Sequence, residues 1–131
     1  MEIPQNKAIN IEALKNENNE WITEIYLMAD ELEVLNMRLG EVSKLVKEKK
    51  FKAQVEHFQN QFIRQKEVLD IYKNHIHKQE KNLNLHAKNG DLIPEKMDIN
   101  AHQELKENLA LNRKINVELK QNFYQFLEQH Y

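Results

Sequence analysis

The sequence predicts an all-α protein: an antiparallel, up-down-up bundle of three long helices with coiled-coil-like packing. Three observations lead there. Ile11, Leu14, Trp21, Ile25, Met28, Leu32, Leu35, Leu39, Val42 and Val46 follow alternating steps of three and four residues, with Asn18 the one polar slot in the series. That spacing keeps one apolar stripe against a partner helix over many turns. The 131 residues contain only two Gly and two Pro, too few turn formers for a globular β protein and well suited to long helices. Finally, two breaks divide the chain into three helical stretches of one domain, about 9–46, 52–88 and 95–130.

The first helix starts near Asn6 or Asn10, either of which can cap it. It spans roughly 55 Å at 1.5 Å per residue. Gly40 lies inside it, and the stripe continues on both sides, so Gly40 does not end the helix. The second seam is Phe51, Val55, Phe58, Phe62, Leu69, Tyr72, Ile76 and Leu83, with Gln65, Gln79 and His86 in polar slots. The first register would require apolar residues at 49 and 53, where the chain has Lys49 and Ala53. The register therefore breaks in the charged run 47–52, which reads as a solvated turn. The alternative is one continuous helix in an extended dimer.

The second break is carried by Asn89-Gly90-Asp91 and Pro94, a C-terminal glycine followed by a residue that opens helices. The third helix starts at Pro94 or after the Asn100-x-x-Gln103 box. Its expected inward face is Ala101, Leu105, Leu109, Ile115, Leu119, Phe123 and Phe126.

Residues 9–46 carry eight acids and three bases, whereas residues 47–88 carry ten bases and five acids. An acidic helix beside a basic one favours that pairing, at ~0.2–1 kcal/mol per exposed contact. Each fully buried large apolar side chain contributes more, ~1.5–3 kcal/mol.

Short connections make neighbouring helices antiparallel, so facing residues have numbers that sum to about 98 for the first pair and about 186 for the second. On that map Asn18, Gln79 and Asn108 share a polar core layer, and Gln65 and Asn122 share another. Asn112 and Asn116 also project inward. Such amides fix register, as a seam Asn does in coiled coils. Gln79→Leu should then raise stability and loosen the uniqueness of the fold. The alternative role for the layer is a small-ligand pocket.

Chemistry is sparsely marked. The chain has no Cys and one Ser, Ser43, so thiolate chemistry is excluded and a Ser/His/Asp arrangement is hardly possible. It lacks paired Glu-x-x-His, His-Glu-x-x-His, phosphate-loop and nucleophile-elbow patterns. The expectation is a non-enzyme without a cofactor. His86 and His102 face each other near the second connection, with Asp98 one turn before His102, and are weak candidates for a divalent metal. His57, His75 and the penultimate residue His130 read as solvated.

With a net charge of −2, the chain does not resemble a nucleic-acid-binding cation. It has neither a basic-then-apolar leader pattern nor an apolar run of ~20 residues. No nucleic-acid or membrane partner is expected, and the cytoplasm is the expected location.

A second apolar set lies opposite the main seam of the first helix: Leu27, Val34, Met37 and Leu45, with Tyr26 beside them. Ile71 and Leu85 face outward on the second. A lone bundle has no use for such a stripe, so it marks a contact surface for a protein partner or for self-association as a homodimer. The stretch Val55-Glu56-His57-Phe58-Gln59-Asn60-Gln61-Phe62-Ile63, with Arg64-Gln65-Lys66, resembles a segment of small helical-bundle proteins of Bacteroidota. That resemblance covers about a dozen residues and implies a small bacterial protein with no assigned activity.

Overall fold

The computed structural model describes residues 10–45, 47–90 and 93–130. Three helices follow one another, α1 (Ile11–Leu45), α2 (Lys49–Lys88) and α3 (Lys96–His130). No strand occurs among the described residues.

Asn10 caps α1. Its Oδ1 accepts the backbone N–H of Ala13 at 2.7 Å, which satisfies one of the amides a helix start leaves unpaired. The helix passes through Gly40 without a break, and a Cβ added there would meet no atom within 4 Å. Glycine at this site therefore lowers helix propensity without serving packing. Gly40→Ala is expected to stabilise the fold by ~0.5–1 kcal/mol, read as a higher midpoint of thermal unfolding.

The first connection is shorter than expected. Glu48 is extended (φ −77°, ψ 137°) and α2 begins at Lys49, so the break lies before residue 49 and most of the charged run belongs to the first turn of α2. The Lys52 N–H already bonds the Glu48 carbonyl at 3.1 Å. Val46 and Asp91 lie outside the described residues, as does Asn6.

At the end of α2 the Asn89 and Gly90 N–H groups bond the Leu85, His86 and Ala87 carbonyls. Gly90 takes the left-handed conformation (φ 88°) that favours glycine after a helix. The α3 helix starts at Lys96, after Pro94, with the Ile99 N–H on the Glu95 carbonyl. Asn100 lies inside α3, so its box with Gln103 does not open the helix.

Cross-helix contacts carry the chain direction. Between α1 and α2 the pairs Asn18–Gln79, Glu33–Lys66 and Tyr26–Lys73 have numbers summing to 97, 99 and 99, so these helices run in opposite directions. Between α1 and α3 the pairs Glu17–Lys106, Glu24–Arg113 and Glu31–Lys120 keep a constant difference of 89, so these two run the same way.

The seams of α1 and α2 are buried largely as their spacing dictates; Met28, Phe51, Gln65, Tyr72 and His86 are half-buried. The inward face of α3 differs from expectation. Ala101 is exposed and Ile115 is 38% exposed, whereas Asp98, His102 and Asn112 are buried. The true seam is Asp98, His102, Leu105, Leu109, Asn112, Asn116, Leu119, Phe123 and Phe126, an unbroken run of four- and three-residue steps.

One apolar cluster runs from Trp21 and Ile25 to Phe58, Phe62, Phe123 and Phe126. A second, of Ile11, Leu14 and Leu83, lies beyond it at the start of α1. A polar layer at Asn18 and Gln79 separates the two.

Candidate functional site

Gln79 is the centre of that layer. Asn18 Nδ2 donates to Gln79 Oε1 at 2.9 Å, and Gln79 Nε2 donates to the Asp98 carbonyl at 3.2 Å. His102 Nδ1 meets the same Gln79 Oε1 at 3.1 Å, while its Nε2 meets Glu17 Oε1 at 2.9 Å. The imidazole also stacks on Trp21, with centroids 4.4 Å apart. Lys106 Nζ lies 3.8 Å from the other Glu17 oxygen. All three helices thus contribute, and the arrangement joins a fully buried amide to a half-exposed carboxylate.

The Asn18–Gln79 pairing is as the layer map expects, but the third member is His102. Asn108 is half-buried and lines a groove between α2 and α3. The physical reason is the face that α3 turns inward. His102 and Asn112 lie on its buried seam and reach Gln79 and Gln65, whereas Asn108 and Asn122 lie off it.

The second layer changes for the same reason. Gln65 Oε1 accepts from Asn112 Nδ2 at 2.8 Å, Asn116 Nδ2 donates to Asn112 Oδ1 at 2.9 Å, and Asn122 is exposed. Asn116 Nδ2 also approaches Met28 Sδ at 3.5 Å. Each layer leaves one buried acceptor without a partner, Asn18 Oδ1 and Asn116 Oδ1, at a cost of ~1–3 kcal/mol apiece.

His86 and His102 do not share a centre. His86 Nε2 bonds Glu95 Oε1 at 2.8 Å and lies 3.9 Å from Asp98 Oδ2, whereas His102 turns to Glu17 and Gln79. Among the described residues no three His, Asp or Glu side chains converge as metal ligands. Gln79 and Asp98 reach the edge of the groove that Asn108 lines, a space of about 360 Å³ between α2 and α3. His57 and His75 are exposed.

The regular ion pairs join α1 to α3, not α1 to the basic α2. Glu17, Glu24 and Glu31 recur every seven residues, and Lys106, Arg113 and Lys120 answer them at the same interval. The Arg113 fork holds Glu24 with both Nε and Nη2, the latter at 2.8 Å. This hydrogen bonding, more than the charge attraction that accompanies it, holds Arg113 above its ordinary pKa against the opposing effect of burial. Lys120 is raised in the same way by its hydrogen bond to Glu31. Sequence reasoning missed this ladder, although its two seven-residue repeats were visible.

The outer face of α1 carries Leu27, Val34, Met37 and Leu45, each 61–67% exposed. Tyr26 is also exposed, with Lys73 Nζ 5.3 Å from its ring centroid. Ile71 on α2 is 47% exposed. Leu45 also lines an apolar groove of about 580 Å³ with Val42 and Leu127, rimmed by Arg38, Glu41 and Glu128. No helix among the described residues is long and apolar enough to cross a membrane.

Comparison with protein-family models, curated proteins and solved structures gives no match.

Proposed function

We propose that this chain is a non-enzymatic, cytoplasmic interaction module that pairs with a second copy of itself along the outer face of α1. The observation that carries this reading is the exposed stripe Leu27, Val34, Met37 and Leu45, on a helix whose opposite face is already filled. A stripe that repeats over several turns marks a contact surface.

The spacing supports a second copy as the occupant. In an antiparallel pair centred between residues 35 and 36, Val34 faces the partner's Met37, and Leu27 lies beside its Lys44 and Leu45. The same register sets Glu33 against Arg38 of the second copy, an opposite-charge contact that two-fold symmetry makes twice. It also sets Asp30 against Glu41, a like-charge contact that weakens the dimer.

Light scattering on the full chain tests this reading. The wild type should run at twice its 15.8 kDa mass, and Leu27→Glu with Val34→Glu should leave a folded monomer of unchanged helicity. Glu41→Lys turns the repulsive contact attractive and should tighten the dimer roughly five- to tenfold. A wild type that stays monomeric at high concentration overturns the proposal, and so does a Glu41→Lys dimer no tighter than the wild type.

A further inference from the structure

His102 is only 4% exposed, yet both ring nitrogens face oxygen. Nδ1 meets Gln79 Oε1 at 3.1 Å and Nε2 meets Glu17 Oε1 at 2.9 Å. A neutral imidazole has one N–H and one lone pair, so it can satisfy only one of these oxygens.

The other groups cannot rearrange to suit a neutral ring. Turning the Gln79 amide over would set its oxygen against the Asp98 carbonyl, which Gln79 Nε2 now bonds at 3.2 Å, and this clash stays even if Asn18 turns with it. Glu17 offers acceptors alone when ionised. Only the doubly protonated ring gives a donor to both Gln79 Oε1 and Glu17 Oε1, and it does so stacked face to face on Trp21, an arrangement that favours a cation over an aromatic ring.

The charges around the ring come from every helix. Glu17 on α1 is the direct contact, with Lys106 of α3 on its other oxygen. Asp98 on α3 lies behind Gln79 and is linked to His86 of α2, which Glu95 also holds. His75 and Lys78 of α2 line the groove where Gln79 reaches the surface.

We infer that His102 is a proton-operated latch between α1 and α3: doubly protonated, it bridges Glu17 to Gln79, and loss of one proton releases Glu17. Gln79 is buried and locked by three contacts, so the neutral ring keeps its Nδ1–H there. Glu17 is half-exposed and swings toward Lys106 and water. The latch acts at the junction of helices that approach one another least, since α3 makes few close backbone contacts with α1.

The test is nitrogen-15 NMR of the imidazole rings in the full chain, with Trp21 emission as a second readout, at about pH 6 and about pH 9. Trp21 is the only tryptophan, so its emission reports on the stack. At the lower pH both His102 nitrogens should carry protons. At the higher pH the Nε2–H signal should be lost, and Trp21 emission should rise as the cationic quencher disappears. Glu17→Gln supplies an N–H that a neutral ring can accept, so this variant should lose the Nε2 proton at a lower pH than the wild type. A single-proton ring throughout in the wild type would overturn the latch, as would a Glu17→Gln titration that matches the wild type.

Discussion

Phe123→Ala should cost ~3–5 kcal/mol, a large part of the ~5–15 kcal/mol that holds a domain of this size together. Phe123 is fully buried at the end of the bundle remote from the polar layer. Its ring stands edge-on to Phe62 with centroids at 5.3 Å, edge-on to Phe58 at 5.4 Å, and near Phe126 at 6.4 Å. Truncation removes one aromatic from a cluster drawn from α2 and α3 and leaves a cavity that long, rigid helices close poorly. Chemical denaturation followed by circular dichroism measures the loss, and the thermal midpoint should fall by roughly 10–20 °C. Val117→Ala, on the exposed side of the same helix, should change stability by no more than about 0.5 kcal/mol. A Phe123→Ala loss below about 1 kcal/mol would mean that α3 is not docked through this cluster.

Legibility in the sequence followed the chemistry of the seam positions. In α1, nine of ten described seam residues from Ile11 to Val42 are apolar, so periodicity alone placed the helix and its buried face. In α3, four of nine seam residues are Asp98, His102, Asn112 and Asn116. There the apolar residues Ala101 and Ile115 stand one position before His102 and Asn116. Hydrophobicity therefore pointed to a face rotated by about one residue, and the layer partners Asn108 and Asn122, chosen by height along the bundle, lie off the buried face. A polar residue in a buried seam declares itself only through its partner, and the partner lies on another helix.

Net charge was right about neighbours and silent about partners. The opposite charges of the first two helices suggested pairing between them, and α1 does pack most closely on α2, but exposed charges follow the faces that packing leaves adjacent. The contacts of α1 with α2 include Glu33–Lys66 at 3.9 Å and Lys73 over the Tyr26 ring. The ladder of Glu17, Glu24 and Glu31 fell to the flank of α1 that meets α3. The heptad interval of individual charges held more information than the totals.

Gln79→Leu tests whether the polar layer is a register device, and the structure reverses the sign expected of it. Considered as an amide in a seam, Gln79 should be replaceable by leucine with a gain. In the folded chain it serves three partners at once: Asn18 Nδ2, His102 Nδ1 and the Asp98 carbonyl. The Asp98 carbonyl keeps its bond within α3, but leucine strands Asn18 Nδ2 and His102 Nδ1 in the interior, at ~1–3 kcal/mol each, and recovers only part of this by apolar burial. The expected net loss is about 3 kcal/mol. Replacing the set together, with Asn18→Leu, Gln79→Leu and His102→Leu, removes the stranded groups and joins the Ile11–Leu14–Leu83 cluster to the main core. That triple variant should be more stable than the wild type, yet less uniquely aligned, because only the Gln65–Asn112–Asn116 layer then marks the register in the core. Denaturation curves read the first effect, and loss of amide dispersion in NMR spectra reads the second. A stabilised single variant would show that the Gln79 hydrogen bonds do not offset its desolvation. A triple variant with one sharp register would show that the Asn18–Gln79–His102 layer is not what aligns the helices.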